Sequence, residues 1–215
     1  MADVFVTRTS SLPQELRYLA LGDSYTFGEG VAESARWPMQ LAQALRADGI
    51  PLSDPAIIAQ TGWTTDELDA AIDTAHPLPE YDLVSLLIGV NNQYRGRSVD
   101  DYRVQFAALL ERAIGFAQGK LQHVLVLSIP DWGVTPFAQG RDPGSISTAI
   151  DAFNATAMQV CVQRGVAFVD ITTASRHRGG EADMLAEDGL HPSARMYAEW
   201  TRRALPVVRE RITAR

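Results

Sequence analysis

Cysteine is nearly missing from this chain: Cys161 is the only one in 215 residues. A disulfide within the chain is therefore impossible, and a zinc cluster built on thiolates is excluded. Cys161 sits in NATAMQVCVQRGVAF, a helical pattern, and reads as a small core residue. Long apolar runs are missing as well. No stretch is long enough to cross a bilayer. The N-terminal MADVFVTRTSSLPQELRY has no basic segment followed by an apolar one, so no secretory signal is expected and the cytoplasm is the default address. Positive charge is in deficit, with 19 Lys and Arg against 26 Asp and Glu, a net charge of -7. Such a surface repels phosphate backbones, and nucleic acid is not expected as a partner. The locally basic TRRALPVVRERITAR at the C-terminus reads as a solvated helix, since cations suit a helix C-terminus. Internal repeats, low-complexity tracts, a Gly-Lys-Ser/Thr phosphate loop and a His-Glu-x-x-His metal motif are all lacking.

A hydrophobic content of 46% over this length fits one globular domain, 1–215, with a full-sized core. Short apolar runs alternate with amphipathic stretches. The patterns predict strands at 18–22, 56–62, 82–90, 123–130 and 166–171, and helices at 36–48, 64–75, 98–117, 145–165 and 192 to about 212. Thr64 and Ser98 are expected as N-caps, Gly165 as a C-terminal stop, and Pro206 as a kink or break in the last helix. The run DLVSLLIGV does not alternate, as expected for a strand covered on both faces. The β-α alternation predicts a three-layer α/β/α fold with a five-stranded parallel sheet. The loops 22–36, 130–144 and 172–191 are the longer connections. Ligands of such sheets bind beyond the carboxyl ends of the strands.

Four blocks follow those strand ends. They are Gly22-Asp23-Ser24, Gly62, Gly89-Val90-Asn91 and, after a loop, Asp188-Gly189-Leu190-His191. Together they supply a hydroxyl, an imidazole, a carboxylate and several hydrogen-bond donors, the parts of a serine hydrolase. In content, order and strand context the blocks resemble those of the SGNH hydrolases, also called GDSL esterases and lipases. The resemblance spans roughly residues 17 to 200. It implies a flavodoxin-like sheet and ester hydrolysis through an acyl-enzyme. It further implies Ser24 as nucleophile, His191 as general base and acid, and Asp188 as the carboxylate that orients the imidazole. The oxyanion hole it implies is the Ser24 N–H, the Gly62 N–H and the Asn91 side-chain amide. The expected substrate is a small-molecule ester with a short acyl group such as acetyl. Lysophospholipase or thioesterase activity on the same site is the alternative, and a non-catalytic binding protein is the alternative from another class. No cofactor and no metal are expected.

The remaining chemistry-bearing residues have plainer readings. His76 precedes Pro77 in a polar loop, His123 starts a strand, and His177 lies in ASRHRGGEAD, a loop that can line the site but offers no comparable carboxylate pairing. Asp188 can also cap the last helix. Asp23 is expected to bond the backbone of its own loop. Asn92 stands where many family members have Asp, and bears on loop hydrogen bonding and substrate selection. Tyr25 replaces the leucine of the GDSL spelling. Trp63 and Trp132 are candidates for the walls of a substrate pocket, together with Asn92. Asp131 and Arg95 are candidates for contact with a polar substrate. A phosphate cradle on Gly28-Glu29-Gly30 fails at the third glycine position, which is Glu33.

Overall fold

A computed structural model of the chain describes residues 15–213. The elements run β1 (Tyr18–Asp23), α1 (Ser24–Phe27), α2 (Trp37–Ala47), β2 (Ala56–Gln60), α3 (Thr65–Ala75), β3 (Leu83–Leu87), α4 (Val90–Tyr94), α5 (Val99–Phe116), β4 (Val124–Leu127), α6 (Pro143–Arg164), β5 (Ala167–Val169), α7 (Thr172–Arg178) and α8 (Ala194–Thr213). The five strands form one parallel sheet in the order β2-β1-β3-β4-β5. On the sides of the sheet, α2 packs on α8, and α5 packs between α3 and α6. This is the expected three-layer architecture.

The sheet's interior is apolar because both faces are covered. All six residues of β1 and all five of β3 are buried. Ser85 is the polar interruption in β3, and its hydroxyl shares a 2.9 Å hydrogen bond with Tyr18. Cys161 is buried in α6, where burial pushes its thiol up to about 12. β2 is one edge of the sheet and is only half covered.

Local chemistry sets the element ends. In α3 the Glu67 carboxylate accepts from the Thr64 N–H at 2.8 Å, satisfying a donor at the helix start. Ser98 caps α5 by accepting from the Asp101 N–H at 3.0 Å. α6 begins at Pro143, earlier than its apolar periodicity suggests, because Asp142 caps it and proline fits the first turn. Gly165, at φ 73°, closes it.

Three expectations are corrected. Four of the five strands stop short of their apolar runs, while β1 reaches one residue further, to Asp23: the run ending at Val90 turns at Gly89, whose φ is 130°, and Val90 begins α4. The supposed loop 172–191 carries α7, started by Asp170, which accepts from the Thr173 N–H at 3.1 Å. Pro206 lies inside α8, which runs on from Ala194 to Thr213, so the proline does not split the helix. The backbone bond it forgoes is outweighed by the buried face of Tyr197, Trp200, Ala204 and Val208. Among the described residues no helix is long and apolar enough to cross a membrane.

The carboxyl end of β1 is the tightest part of the frame. A Cβ on Gly22 would collide with the Thr26 side chain and stand 2.5 Å from the Leu87 carbonyl oxygen of β3. Gly22→Ala is expected to destabilise the protein by about 1–3 kcal/mol through overpacking, read as a lower denaturation midpoint in urea. An unchanged midpoint would contradict this packing.

Candidate active site

Register brings the candidate residues to one place. β1 is paired with both neighbours, Asp23 beside Gln60 and Gly22 beside Leu87. The residues that follow each strand therefore emerge together. Ser24, Gly62, Asn91 and His191 line one cleft of about 180 Å³.

Ser24 is the first residue of α1, so its N–H has no partner within the helix. Asp23 caps that helix, its Oδ1 accepting from the Tyr25 N–H at 3.0 Å. This is the structural role expected for Asp23. The carboxylate is fully buried, and among the described residues its second oxygen has no hydrogen-bond partner. Burial raises Asp23 to about 7, against the pull of the Tyr25 N–H. Gly28 ends α1 in the left-handed region at φ 78°, returning its N–H to the Ser24 carbonyl at 2.8 Å.

Asp188 and His191 face each other across a tight turn in which Gly189 has φ 66°. His191 Nδ1 lies 2.5 Å from Asp188 Oδ2, while Asp188 Oδ1 accepts from the N–H groups of Leu190 and His191, each at 2.9 Å. This leaves Nε2 as the ring nitrogen available to the cleft. Partial burial alone would raise Asp188, but the imidazole and the two N–H donors outweigh it and hold the carboxyl below its usual range. Asp188 does not cap α8. Ser193 takes that position, its hydroxyl accepting from the Arg195 N–H at 3.2 Å. The His191 ring rests edge-on against Tyr25 at 5.9 Å, and Tyr25 against Trp200 at 5.9 Å. Among the described residues Ser24 Oγ makes no hydrogen bond.

The Gly62 loop is held from three sides. Thr61 donates its hydroxyl proton to Glu29. Arg95 donates to the Gly62 carbonyl at 2.6 Å, and the Asn91 amide donates to the Trp63 carbonyl at 2.8 Å. An amide has two N–H donors, so Asn91 keeps one for another acceptor. The Gly62 N–H itself makes no hydrogen bond among the described residues. Gly62 has φ 89°, which favours glycine over any residue with a side chain.

Two expected pocket residues lie elsewhere. Asn92 is fully buried, accepting from the Thr65 N–H at 3.1 Å and donating to the Thr65 hydroxyl at 2.7 Å. The reason is α4: helical rotation points adjacent side chains in different directions, so Asn91 reaches the cleft and Asn92 ties α4 to α3. Trp63 is half-buried and lines, with Ile57 and Ile58, a groove over β2 and α3, outside the cleft. Trp132 does line the cleft, with its indole N–H donating to Gln93 at 2.9 Å. Asp131, a candidate for substrate contact, is instead buried beneath it. Its Oδ1 accepts from the Gly133 N–H at 2.9 Å, and its Oδ2 pairs with Arg176 at 2.9 Å. His177 is exposed on α7 and does not reach the cleft.

Tyr94, Phe137, Val90 and Leu190 complete the cleft's apolar wall and were not picked out from the sequence. Tyr94 follows Asn91 by three residues, the spacing that shares a helix face, and is legible once α4 is known. Phe137 is fixed by its N–H donating to the Gly189 carbonyl at 3.2 Å.

The comparisons with known proteins bear on this arrangement. The profile of the GDSL-like Lipase/Acylhydrolase family matches residues 20–199. No curated protein matches the chain by sequence. Solved structures do. The crystal structure of TesA has 21% identity and a TM-score of 0.69, with 91% of this chain and 99% of that one covered. Axe2, an acetylxylan esterase from Geobacillus stearothermophilus, has 17% identity and a TM-score of 0.67 over 90% and 94%. A lipase/acylhydrolase from Enterococcus faecalis has 22% identity and a TM-score of 0.64 over 91% and 96%. At these identities the likeness establishes the fold.

The buried Asp23 gives a stability signature with a definite sign. Below about pH 4 the carboxyl is protonated whether the chain is folded or not. Between there and about pH 7 the unfolded chain ionises while the folded one keeps its proton, so Asp23 subtracts stability as pH rises. Asp23→Asn removes that loss while keeping a capping oxygen. Its stability relative to wild type is expected to rise by roughly 2–4 kcal/mol from pH 4 to pH 7.5 in urea titrations. A difference that stays flat across this window would contradict the buried ionisation.

Proposed function

The chain belongs to the GDSL-like lipase/acylhydrolase family, and from that premise we propose that it hydrolyses carboxylic esters with short acyl groups through an acyl-enzyme on Ser24. The observation that carries the proposal is that His191, its Nδ1 paired with Asp188, lines the same cleft as Ser24. A serine hydroxyl is a weak nucleophile near neutral pH and needs a base within reach. His191 Nε2 takes the Ser24 proton as Oγ attacks the ester carbonyl. Asp188 holds the imidazole tautomer and stabilises the imidazolium. The tetrahedral oxyanion is received by the Ser24 N–H, the Gly62 N–H and the second N–H of the Asn91 amide. His191 then protonates the leaving alcohol, and the acyl group stays on Ser24. Water, activated by the same imidazole, attacks the acyl-enzyme and releases the acid. The chain acts in this reading as one hydrolase domain with a small-molecule ester as its partner.

The cleft supports the short-chain preference. Its volume of about 180 Å³ lies below the roughly 300–1,000 Å³ of pockets for drug-sized ligands. Its wall of Val90, Tyr94, Trp132, Phe137 and Leu190 is apolar or aromatic. An acetyl or similarly short group matches that space, whereas most of a long acyl chain of the kind lysophospholipases remove would lie outside it. The name of Axe2, an acetylxylan esterase, points the same way.

Kinetics on p-nitrophenyl esters test both parts. Ser24→Ala and His191→Ala are expected to lower kcat on the acetate by at least about 10³-fold, and Asp188→Asn by about 10³–10⁴-fold. In the wild type, kcat/KM is expected to fall steadily from acetate to butyrate to octanoate. Retained turnover in Ser24→Ala would overturn the mechanism, and a rise toward octanoate would overturn the substrate class.

A further inference from the structure

We infer that Arg95 is a positioning residue for the oxyanion hole, holding the Gly62 loop through the Gly62 carbonyl. The inference rests on the hydrolase reading above and adds to it a residue outside the Ser24, Asp188 and His191 set. Arg95 follows α4 directly, four residues after Asn91. Its Nη2 donates to the Gly62 carbonyl oxygen at 2.6 Å, and its Nη1 lies 3.2 Å from Glu67 Oε1. Glu67 is itself fixed, because its other oxygen accepts the Thr64 N–H at 2.8 Å. The guanidinium is thus a two-point bracket between the start of α3 and the Gly62 peptide. It also sits close against the glycine, since a Cβ built there would lie 3.8 Å from Nη2.

The need for a bracket follows from the residue it holds. Gly62 sits at φ 89°, and glycine has more backbone freedom than any other residue. A free glycine would let its N–H swing away from the cleft. The neighbouring anchors, Glu29 on Thr61 and Asn91 on the Trp63 carbonyl, hold the residues on either side of Gly62. Arg95 holds the Gly62 carbonyl and so restrains ψ of the glycine itself. The Arg95 and Glu67 side chains are 43% and 40% exposed, so the ion pair contributes little to global stability. Positional error, in contrast, is costly: a displacement of about 1 Å in an oriented group can lower rate about 10²-fold.

Stability and turnover are therefore expected to separate. The comparison is between wild type, Arg95→Ala, Arg95→Lys and the control Arg97→Ala. Arg97 pairs with Asp66 on the same surface, and among the described residues it makes no hydrogen bond to the Gly62 loop. With p-nitrophenyl acetate, Arg95→Ala is expected to lower kcat about 10–100-fold with KM within about threefold. Its unfolding midpoint is expected to match that of Arg97→Ala. Arg95→Lys regains part of kcat, because an ammonium can donate to the carbonyl but cannot bridge it to Glu67 as a planar fork. Added guanidinium ion restores part of kcat in Arg95→Ala and none in Arg97→Ala. A kcat for Arg95→Ala within twofold of wild type overturns the assignment, as does a rise in KM with kcat retained, which would make Arg95 a substrate contact. An inactive wild type or an active Ser24→Ala would instead count against the hydrolase reading itself.

Discussion

The site depends on the register of β1 between β2 and β3. Parallel pairing places Asp23 beside Gln60 and Gly22 beside Leu87, so three strands end at nearly one level. The chain then leaves each strand toward the same cleft. A shift of one residue in β1 would turn every side chain to the opposite face and remove Ser24 from this level. Gly22 enforces the register sterically. There is no room for a side chain between Thr26 and the Leu87 carbonyl, and the α1 turn folds back onto the strand end.

Around that frame the same local device recurs with different electrostatic outcomes. Asp23, Asp131 and Asp188 each use Oδ1 to accept an N–H two residues ahead, from Tyr25, Gly133 and Leu190. Each shapes a loop at the cleft. The second oxygen separates them. Asp131 pairs its second oxygen with Arg176, and Asp188 pairs its own with His191. Among the described residues Asp23 leaves it buried without a partner, and burial raises the carboxyl to about 7. The partner of Asp131, Arg176, comes from α7, 45 residues along the chain, whereas that of Asp188, His191, stands three residues away.

That contrast explains which features are legible in the sequence. Strand-end blocks such as Gly22-Asp23-Ser24 and Asp188-Gly189-Leu190-His191 are local, and the turn chemistry that presents them is written in adjacent residues. The layer architecture is likewise legible, because a non-alternating run such as 82–90 implies cover on both faces. Asn92 and Trp63, expected as pocket residues, lie outside the Ser24 cleft for a reason that is not local. One turn of helix at α4 and the twist at Gly62 decide which of two adjacent side chains meets the cleft. Pattern reading extended the strand through Val90 and so gave Asn91 and Asn92 no distinct directions. The bracket of Arg95 on Gly62 joins residues 33 apart in sequence and leaves no mark in periodicity or composition.

The central claim is that Ser24 carries the acyl group. Intact-mass spectrometry and peptide mapping after treatment with a fluorophosphonate, with p-nitrophenyl acetate hydrolysis followed in parallel, test it most directly. The account predicts one adduct per chain on the peptide containing Ser24, with activity lost in proportion to its formation. An adduct on another residue, or hydrolysis that survives complete modification of Ser24, would contradict it.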